Sequence, residues 1–304
     1  MIRVITEKLK IAESRRVPVI GGLWYRLLVG IDNYDIKKAV LPKNPLNQEI
    51  REKRIICSLT SYPARIPFVY FAIKSLMLQT LKPDKIYLWL AEEQFANTKH
   101  LPDELIALQA YGLEIKWMHD LYGHKKYFYP VKEQKQNEVV ITFDDDIIYS
   151  PLAIERLFKT HLKHPGVLVC ERGQVISENN LENPGRWDTL SSKGVSVPTY
   201  SMNPSPGGGC LIPYGAFYYE AIDESLIRLL AYKNDDLWYM FMCAENGTRM
   251  IKTRKNHKPF SVIDGSQNEQ MANENVIGNR NVSIMKGLID RYPKAWRRIR
   301  YDLE

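Results

Sequence analysis

Between residues 54 and 172, short apolar runs alternate with segments whose apolar residues recur at helical spacing. The apolar runs predict strands at 54–62, 85–91, 113–119, 138–149 and 166–172, and the segments between them predict helices at 68–80, 102–112 and 151–164. Strands that alternate with helices at this spacing are typical of a mainly parallel sheet covered by helices on both faces. The sequence therefore predicts an α/β fold.

Three polar clusters follow predicted strands at the points where those strands end. They are LTSYPAR at 59–65, Glu92-Glu93, and Asp144-Asp145-Asp146. Ligands of open α/β sheets bind beyond the carboxyl ends of the strands. The sequence therefore predicts a ligand site at this edge, and residues 173–262, with their Gly, Pro and aromatic residues, are expected to form the substrate-binding half.

Composition divides the chain into three parts. Residues 1–53 form a basic, amphipathic extension with a proline-containing linker, 54–260 the α/β domain, and 261–304 a basic appendage. The net charge is +7, and the stretches 1–54 and 249–304 each carry 12 Lys/Arg against 6 Asp/Glu. Basic residues outside the main domain argue against a nucleic-acid binder. They fit an anionic membrane surface or an anionic substrate, or simply a solvated basic face.

Both basic ends contain apolar residues among Lys and Arg. Trp24, Leu27 and Leu28 lie in the N-terminal 31 residues, and Trp296 and Ile299 lie near the C-terminus. Basic amphipathic helices of this kind lie in a membrane interface. The equal alternative is that the apolar residues dock on the main domain while the basic ones face water.

The remaining features predict a cytoplasmic protein, peripheral at the inner face of the membrane if its ends bind lipid. No run approaches the roughly 18 consecutive apolar residues of a membrane-spanning helix, and the N-terminus lacks the pattern of a secretory signal. The four cysteines show no CxxC spacing. They are therefore expected to be buried, reduced thiols rather than zinc ligands or disulfides.

The three aspartates at 144–146 are the strongest candidates for a metal site. Adjacent carboxylates repel one another and raise one another's pKa unless a cation neutralises them. Mg²⁺ and Mn²⁺ prefer oxygen ligands and often take one or two carboxylates together with phosphate oxygens. The apolar run VVITF directly before the aspartates favours a metal site over a solvated acidic turn or a helix N-cap.

Four motifs, in this order, resemble those of GT-A glycosyltransferases and cover about residues 54–260. LTSYPAR resembles the first-strand loop that holds the nucleotide, and ITFDDDIIYSP (141–151) looks like the DXD motif. PGGGCLIPYGAF (206–217) resembles the Gly-rich segment of bacterial polysaccharide and lipopolysaccharide transferases. NDDLWYMFMCAENG (234–247) resembles the helix start that supplies their catalytic base. The resemblance implies the GT-A fold, a Rossmann-like, mainly parallel sheet.

The resemblance also implies an activity, that of a metal-dependent glycosyltransferase. It would move a sugar with inversion from a nucleoside-diphosphate donor, with a UDP-sugar favoured, to a glycan or lipid-linked glycan in polysaccharide or lipopolysaccharide synthesis. Asp144 and Asp146 would bind Mn²⁺ or Mg²⁺, and Asp145 the ribose or the donor sugar. His257 is a further candidate metal ligand, although a lone histidine is more often structural.

The catalytic base implied by the resemblance is Asp236, which would take the proton from the acceptor hydroxyl. Asp235 would cap the helix or bind the acceptor.

Further residues are expected to contact the donor. The loop residues Thr60, Ser61 and Tyr62 would meet the base or ribose, and Arg65 a phosphate. Lys125 and Lys126, in GHKKYFYP, would approach the diphosphate, while Gly208 and Gly209 would let the backbone approach a sugar closely. The alternatives are that Arg65 contacts a carboxylate and that the lysines simply lie on the surface.

Two other functions remain open on the sequence. A sugar nucleotidyltransferase also combines an α/β sheet with metal-binding carboxylates, but it is expected to carry a Gly-rich loop after the first strand, and LTSYPAR has no glycine. A sugar-binding protein that kept the fold without the activity is the other alternative. The intact DDD and DD motifs argue against such decay.

Overall fold

The computed structural model describes residues 18–95, 101–176, 194–195, 197–254, 260–266 and 280–302, with side chains from Tyr25 onward. The helices are α1 Pro18–Lys38, α2 Ile66–Met77, α3 Asp103–Ala107, α4 Lys125–Lys132, α5 Ala153–Lys163, α6 Glu224–Leu230, α7 Asp235–Asn246, α8 Arg280–Arg291 and α9 Pro293–Tyr301. The strands are β1 Arg54–Thr60, β2 Lys85–Ala91, β3 Leu113–Met118, β4 Glu138–Phe143, β5 Ile147–Ile148, β6 Leu168–Cys170, β7 Gly173–Val175, β8 Met202–Pro204, β9 Cys210–Pro213, β10 Met250–Lys252 and β11 Ser261–Val262.

Seven strands form the central sheet, in the order β10-β6-β9-β4-β1-β2-β3. All neighbouring pairs are parallel except those of β9, which runs antiparallel to both β4 and β6. The carboxyl ends of the six parallel strands therefore meet at one edge, the carboxyl edge, where β9 begins. The predicted mainly parallel sheet is confirmed.

Side chains along β1 alternate between two cores, one on each face of the sheet. Ile55, Cys57 and Leu59 belong to a core shared with α2 and α5. Ile56 belongs to a second core, shared with α4, α7 and α9. This period of two is the strand period, and it explains why residues 55–59 of β1 are all buried. Helices cover both faces, as predicted.

The structure differs from the sequence-based elements mainly at turns and at α4. The predicted strand 138–149 divides into β4 and β5 because the chain turns at the three aspartates. Helix α4 was not predicted, since Pro130 lies inside it and proline is a poor signal for a helix interior. The cysteines are free and buried, as expected.

The described parts of both chain ends pack against the α/β domain. In α1, Leu28 and Ile36 are buried, and Ala295 and Ile299 of α9 lie in the core shared with α7. Leu28 and Ile299 thus pack as the docked alternative expects, whereas Leu27 is 51% exposed; the predicted domain boundaries stay a prediction. None of the described helices has both the length and the apolar character needed to cross a bilayer.

Candidate active site

Strand β4 is buried along its length and ends directly before the three aspartates, which we call the aspartate turn, 144–146. The backbone N–H of Asp144 donates to the carbonyl of Gly207 at 3.1 Å and to the hydroxyl of Tyr149 at 2.6 Å. The Tyr149 hydroxyl donates in turn to the Gly207 carbonyl. Tyr149 therefore holds the turn against the Gly-rich segment. It was not predicted as a site residue, and its place in ITFDDDIIYSP was the available signal.

Lys126 joins the aspartate turn to the start of α7. Its Nζ lies 2.8 Å from Asp144 Oδ1 and 2.8 Å from Asp235 Oδ2, and its side chain is only 5% exposed. Burial alone would lower the pKa of Lys126, but the two carboxylates outweigh burial and raise it above its usual value. Lys126 thus stays charged and holds the DDD and DD motifs together. The surface-lysine alternative is wrong for this residue.

Lys125 and His124 are also buried, and they have other partners. Lys125 forms an ion pair with Asp120 rather than with the aspartate turn. His124 Nε2 donates to the carbonyl of Ala231 at 2.8 Å, and burial lowers the pKa of His124 to about 4, so its ring is neutral. These contacts tie α4 to its neighbours. The predicted contact of Lys125 with a diphosphate stays a prediction.

The helix start at α7 holds two carboxylates in different states. Asn234 caps the helix, since its side-chain oxygen accepts from the N–H of Leu237 at 2.9 Å; the expectation that Asp235 could be the cap is wrong. Burial alone would raise the pKa of Asp235, but Lys126 outweighs burial and lowers it. Burial and the charge of Asp235 raise the pKa of Asp236 to about 8. Carboxylates whose pKa values are pushed apart are typical of acid–base chemistry.

The loop after β1 reaches the same edge through Ser61 and Arg65. Ser61 Oγ donates to Asp145 Oδ2 at 2.6 Å, and Arg65 Nη1 lies 2.6 Å from Asp146 Oδ2. Burial and the charge of Asp146 raise the pKa of Asp145 to about 7, although Ser61 and Arg65 act in the opposite direction. The structure thus brings LTSYPAR and the aspartate turn together. Arg65 contacts the carboxylates of Asp145 and Asp146. The sequence analysis gave such a contact as the alternative to binding a phosphate.

The other two predicted residues of this loop have partners within the protein. Thr60 Oγ1 donates to the carbonyl of Trp89 in β2 at 2.9 Å, so its proton is committed to the sheet. The ring of Tyr62 lies 6.0 Å from the guanidinium carbon of Arg65. Contacts of Thr60, Ser61 and Tyr62 with a base or ribose stay predictions.

The three consecutive glycines of the Gly-rich segment, 207–209, are accounted for by packing or backbone conformation. A Cβ on Gly207 would lie 1.6 Å from Asp144 Oδ2, and one on Gly208 would lie 2.8 Å from the ring of Phe260. Gly209 has a φ of +102°, which side chains rarely tolerate. Gly207 and Gly208 therefore lie close to other groups of the protein. Contact of Gly208 and Gly209 with a sugar stays a prediction.

The donor set at the aspartate turn fits a divalent ion only in part. Among the described residues, no group of three or more His, Cys, Asp or Glu side chains is arranged to hold a metal ion, and His257 lies outside the described residues. Asp144 is 41% exposed, so its carboxylate can be reached from solvent. Asp144 and Asp146 already pair with Lys126 and Arg65, so phosphate oxygens and water would have to complete the coordination of Mg²⁺ or Mn²⁺, and the metal site stays a prediction.

Comparison with known proteins found solved structures of low similarity. No protein-family model matches the sequence, and no curated protein matches it significantly. One similar solved structure is 4-diphosphocytidyl-2C-methyl-D-erythritol synthase from Anaerococcus prevotii, at 14% identity and a TM-score of 0.44, covering 75% of this chain and 94% of that one.

Two glycosyltransferases are similar as well. Glucosyl-3-phosphoglycerate synthase from Mycobacterium tuberculosis, in complex with Mg²⁺ and UDP, has 10% identity and a TM-score of 0.45, covering 87% of this chain and 83% of that one. The mannosyltransferase PcManGT from Pyrobaculum calidifontis, in complex with GDP-Man and Mn²⁺, has 13% identity and a TM-score of 0.41, covering 99% of this chain and 86% of that one.

Proposed function

We propose that the chain is a metal-dependent glycosyltransferase that moves a sugar, with inversion, from a nucleoside-diphosphate donor to a glycan acceptor. The observation that carries the proposal is the bridge made by Lys126 between the aspartate turn and the carboxylate pair at the start of α7. In this reaction the acceptor hydroxyl attacks the sugar carbon from which the diphosphate leaves. The groups that hold the diphosphate and the group that takes the proton must therefore lie close together.

The aspartate turn is the proposed donor site. Asp144 and Asp146 would hold Mn²⁺ or Mg²⁺ with oxygens of the donor diphosphate, and the bound ion supplies positive charge that stabilises the departing nucleotide. Asp145, which already accepts a hydrogen bond from Ser61, would bind a hydroxyl of the ribose or sugar. The motif resemblance favours a UDP-sugar as donor and a polysaccharide or lipopolysaccharide glycan as acceptor.

Asp236 is the proposed general base. A base is most effective when its pKa lies near the operating pH, and the pKa of about 8 for Asp236 meets this condition. Lys126 keeps Asp235 ionised, and the negative charge of Asp235 in turn raises the proton affinity of Asp236. The base is thus tuned by the same lysine that holds Asp144. Asp235 would help to position the acceptor.

Asp236→Asn tests the proposal, because it keeps the shape of the side chain but removes its ability to accept a proton. General-base loss costs roughly 10²–10⁴-fold in rate, so kcat should fall by about that much with donor affinity little changed. Asp223→Asn is the matched control, since Asp223 also lies at a helix start, where it caps α6, and asparagine caps equally well.

Two results would contradict the proposal. An Asp236→Asn variant with the wild-type kcat would exclude Asp236 as the base. A product that retains the anomeric configuration of the donor would exclude inversion.

A further inference from the structure

Residues 260–264 return to the aspartate turn and pair with the short strand that follows it. In this pairing β11 lies antiparallel to β5, and the N–H of Ile263 donates to the carbonyl of Asp146 at 2.8 Å. Residues 146–148 and 260–264 together are called the β5–β11 ribbon. Two-stranded pairings of this size are marginal without further support. The backbone position of Asp146 therefore depends on what holds the outer edge of the ribbon, while Arg65 holds its carboxylate.

Asn33 of α1 holds that outer edge. Its Oδ1 accepts from the N–H of Asp264 at 2.9 Å, and its Nδ2 donates to the carbonyl of Val262 at 2.9 Å. The same Nδ2 also donates to the carbonyl of Val29 at 3.0 Å, within α1. The N–H of one residue and the C=O of the residue two before it are the groups that a neighbouring strand would bond. One side-chain amide, only 1% exposed, thus takes the place of a third strand.

Two further side chains of α1 bind the same segment. The hydroxyl of Tyr25 donates to the carbonyl of Phe260 at 2.7 Å, and the hydroxyl of Ser261 donates to Asp32. The ring of Phe260 in turn lies so close to Gly208 that no side chain fits between them. Helix α1 therefore supports the Gly-rich segment as well as the aspartate turn.

We propose that Tyr25, Asp32 and Asn33 of α1 support the active site, and that Asn33 is a positioning residue that sets the place of Asp146 through the β5–β11 ribbon. This inference rests on the proposed function, in which Asp146 and Asp144 meet the donor diphosphate. Without Asn33, the Val262 carbonyl and the Asp264 N–H lose their partners. A misplacement of about 1 Å at an active site can cost roughly 10²-fold in rate. Because Asp146 would be displaced in this way, we expect donor binding to weaken as well.

The test compares Asn33→Ala with Asn47→Ala in the full chain. Asn47 makes a similar set of bonds, to the carbonyl of Glu49 at 2.6 Å and to Asp84 at 2.9 Å, but Asp84 directly precedes β2, at the opposite edge of the sheet from the aspartate turn. Calorimetric titration with a nucleotide-sugar and Mn²⁺ should show donor binding weakened about tenfold to 100-fold by Asn33→Ala. Asn47→Ala should lower the unfolding temperature but leave the donor Kd unchanged.

Amide hydrogen exchange provides a readout independent of the donor. In Asn33→Ala the N–H of Ile263 should exchange faster than in the wild type, whereas in Asn47→Ala it should not. Should Asn33→Ala fail to fold, Tyr25→Phe removes only the bond to Phe260 and should shift donor Kd and exchange in the same direction, by less.

The outcomes separate the inference from the proposed function. A wild-type chain that binds no nucleotide-sugar contradicts the proposed function itself. A wild-type chain that binds one, with Asn33→Ala and Tyr25→Phe binding it equally well and Ile263 exchanging at the wild-type rate, overturns only the role given to Asn33 and α1.

Discussion

Replacing Gly207 by alanine perturbs the aspartate turn at its tightest point. The added Cβ would lie 1.6 Å from Oδ2 and 1.8 Å from Cγ of Asp144. Non-bonded heavy atoms rest at about 3.5–4.0 Å, so the carboxylate must move by about 2 Å or turn away. Either movement breaks the 2.8 Å contact between Asp144 and Lys126. The link between the two carboxylate motifs is lost with it.

The expected effect is a large loss of activity in a folded chain. Because a displacement of about 1 Å can cost roughly 10²-fold in rate, kcat/KM for sugar transfer should fall by at least about 100-fold. Steady-state kinetics and a thermal unfolding scan measure the two quantities together.

Gly30→Ala is the matched control. A Cβ on Gly30 would meet no atom within 4 Å, and alanine is the better helix former by about 1 kcal/mol, so activity should hold and the unfolding temperature should rise. A Gly207→Ala variant with the kcat/KM of Gly30→Ala would refute the account of how Asp144 is held.

Three further predictions follow from the same site. Lys126→Met removes the cation shared by Asp144 and Asp235 and should lower the free energy of unfolding by about 3–5 kcal/mol in denaturant titrations; unchanged stability would exclude the buried bridge. The wild-type kcat/KM should rise with pH and level off above about 8, because Asp236 must lose its proton to act as a base and its pKa is about 8. A profile that is flat through this range, or that keeps its rising limb in Asp236→Asn, would remove that role. Asn234→Ala and Asn234→Ser both lose the bond to Asn281, but serine can still cap α7, so the serine variant should be the more stable by about 1 kcal/mol in thermal unfolding.

The sheet and its edge could be predicted because they depend on local patterns. The apolar run of β1 and the run that ends at Asp144 each show a buried strand without reference to the rest of the chain. Parallel strands then place their carboxyl ends at one edge, which brings Ser61 and Arg65 to the aspartates. The order of strands and helices along the chain was therefore enough to predict that the loop after β1 meets the aspartate turn.

The contacts that organise the site could not be predicted because they join distant parts of the chain. Asn33 and Val262 are 229 positions apart, and the amphipathic pattern of α1 does not show which surface the helix meets. Lys126 lies on α4, a helix that Pro130 concealed, so its direction toward Asp144 and Asp235 was not visible. Glycine shows that something approaches closely but not what approaches, which is why Asp144 was not expected beside Gly207.

The most direct test of the proposed activity measures release of nucleoside diphosphate from a panel of UDP-, GDP-, CMP- and dTDP-sugars, with and without Mn²⁺, CMP-sugars being scored by release of CMP. We predict that at least one nucleoside-diphosphate sugar is cleaved, that cleavage requires the metal ion, and that Asp146→Ala abolishes it while the variant remains folded. Absence of release from every donor, or metal-independent release that survives Asp146→Ala, would contradict the account. Pyrophosphate formed from a nucleoside triphosphate and a sugar 1-phosphate would assign the site to a nucleotidyltransferase instead.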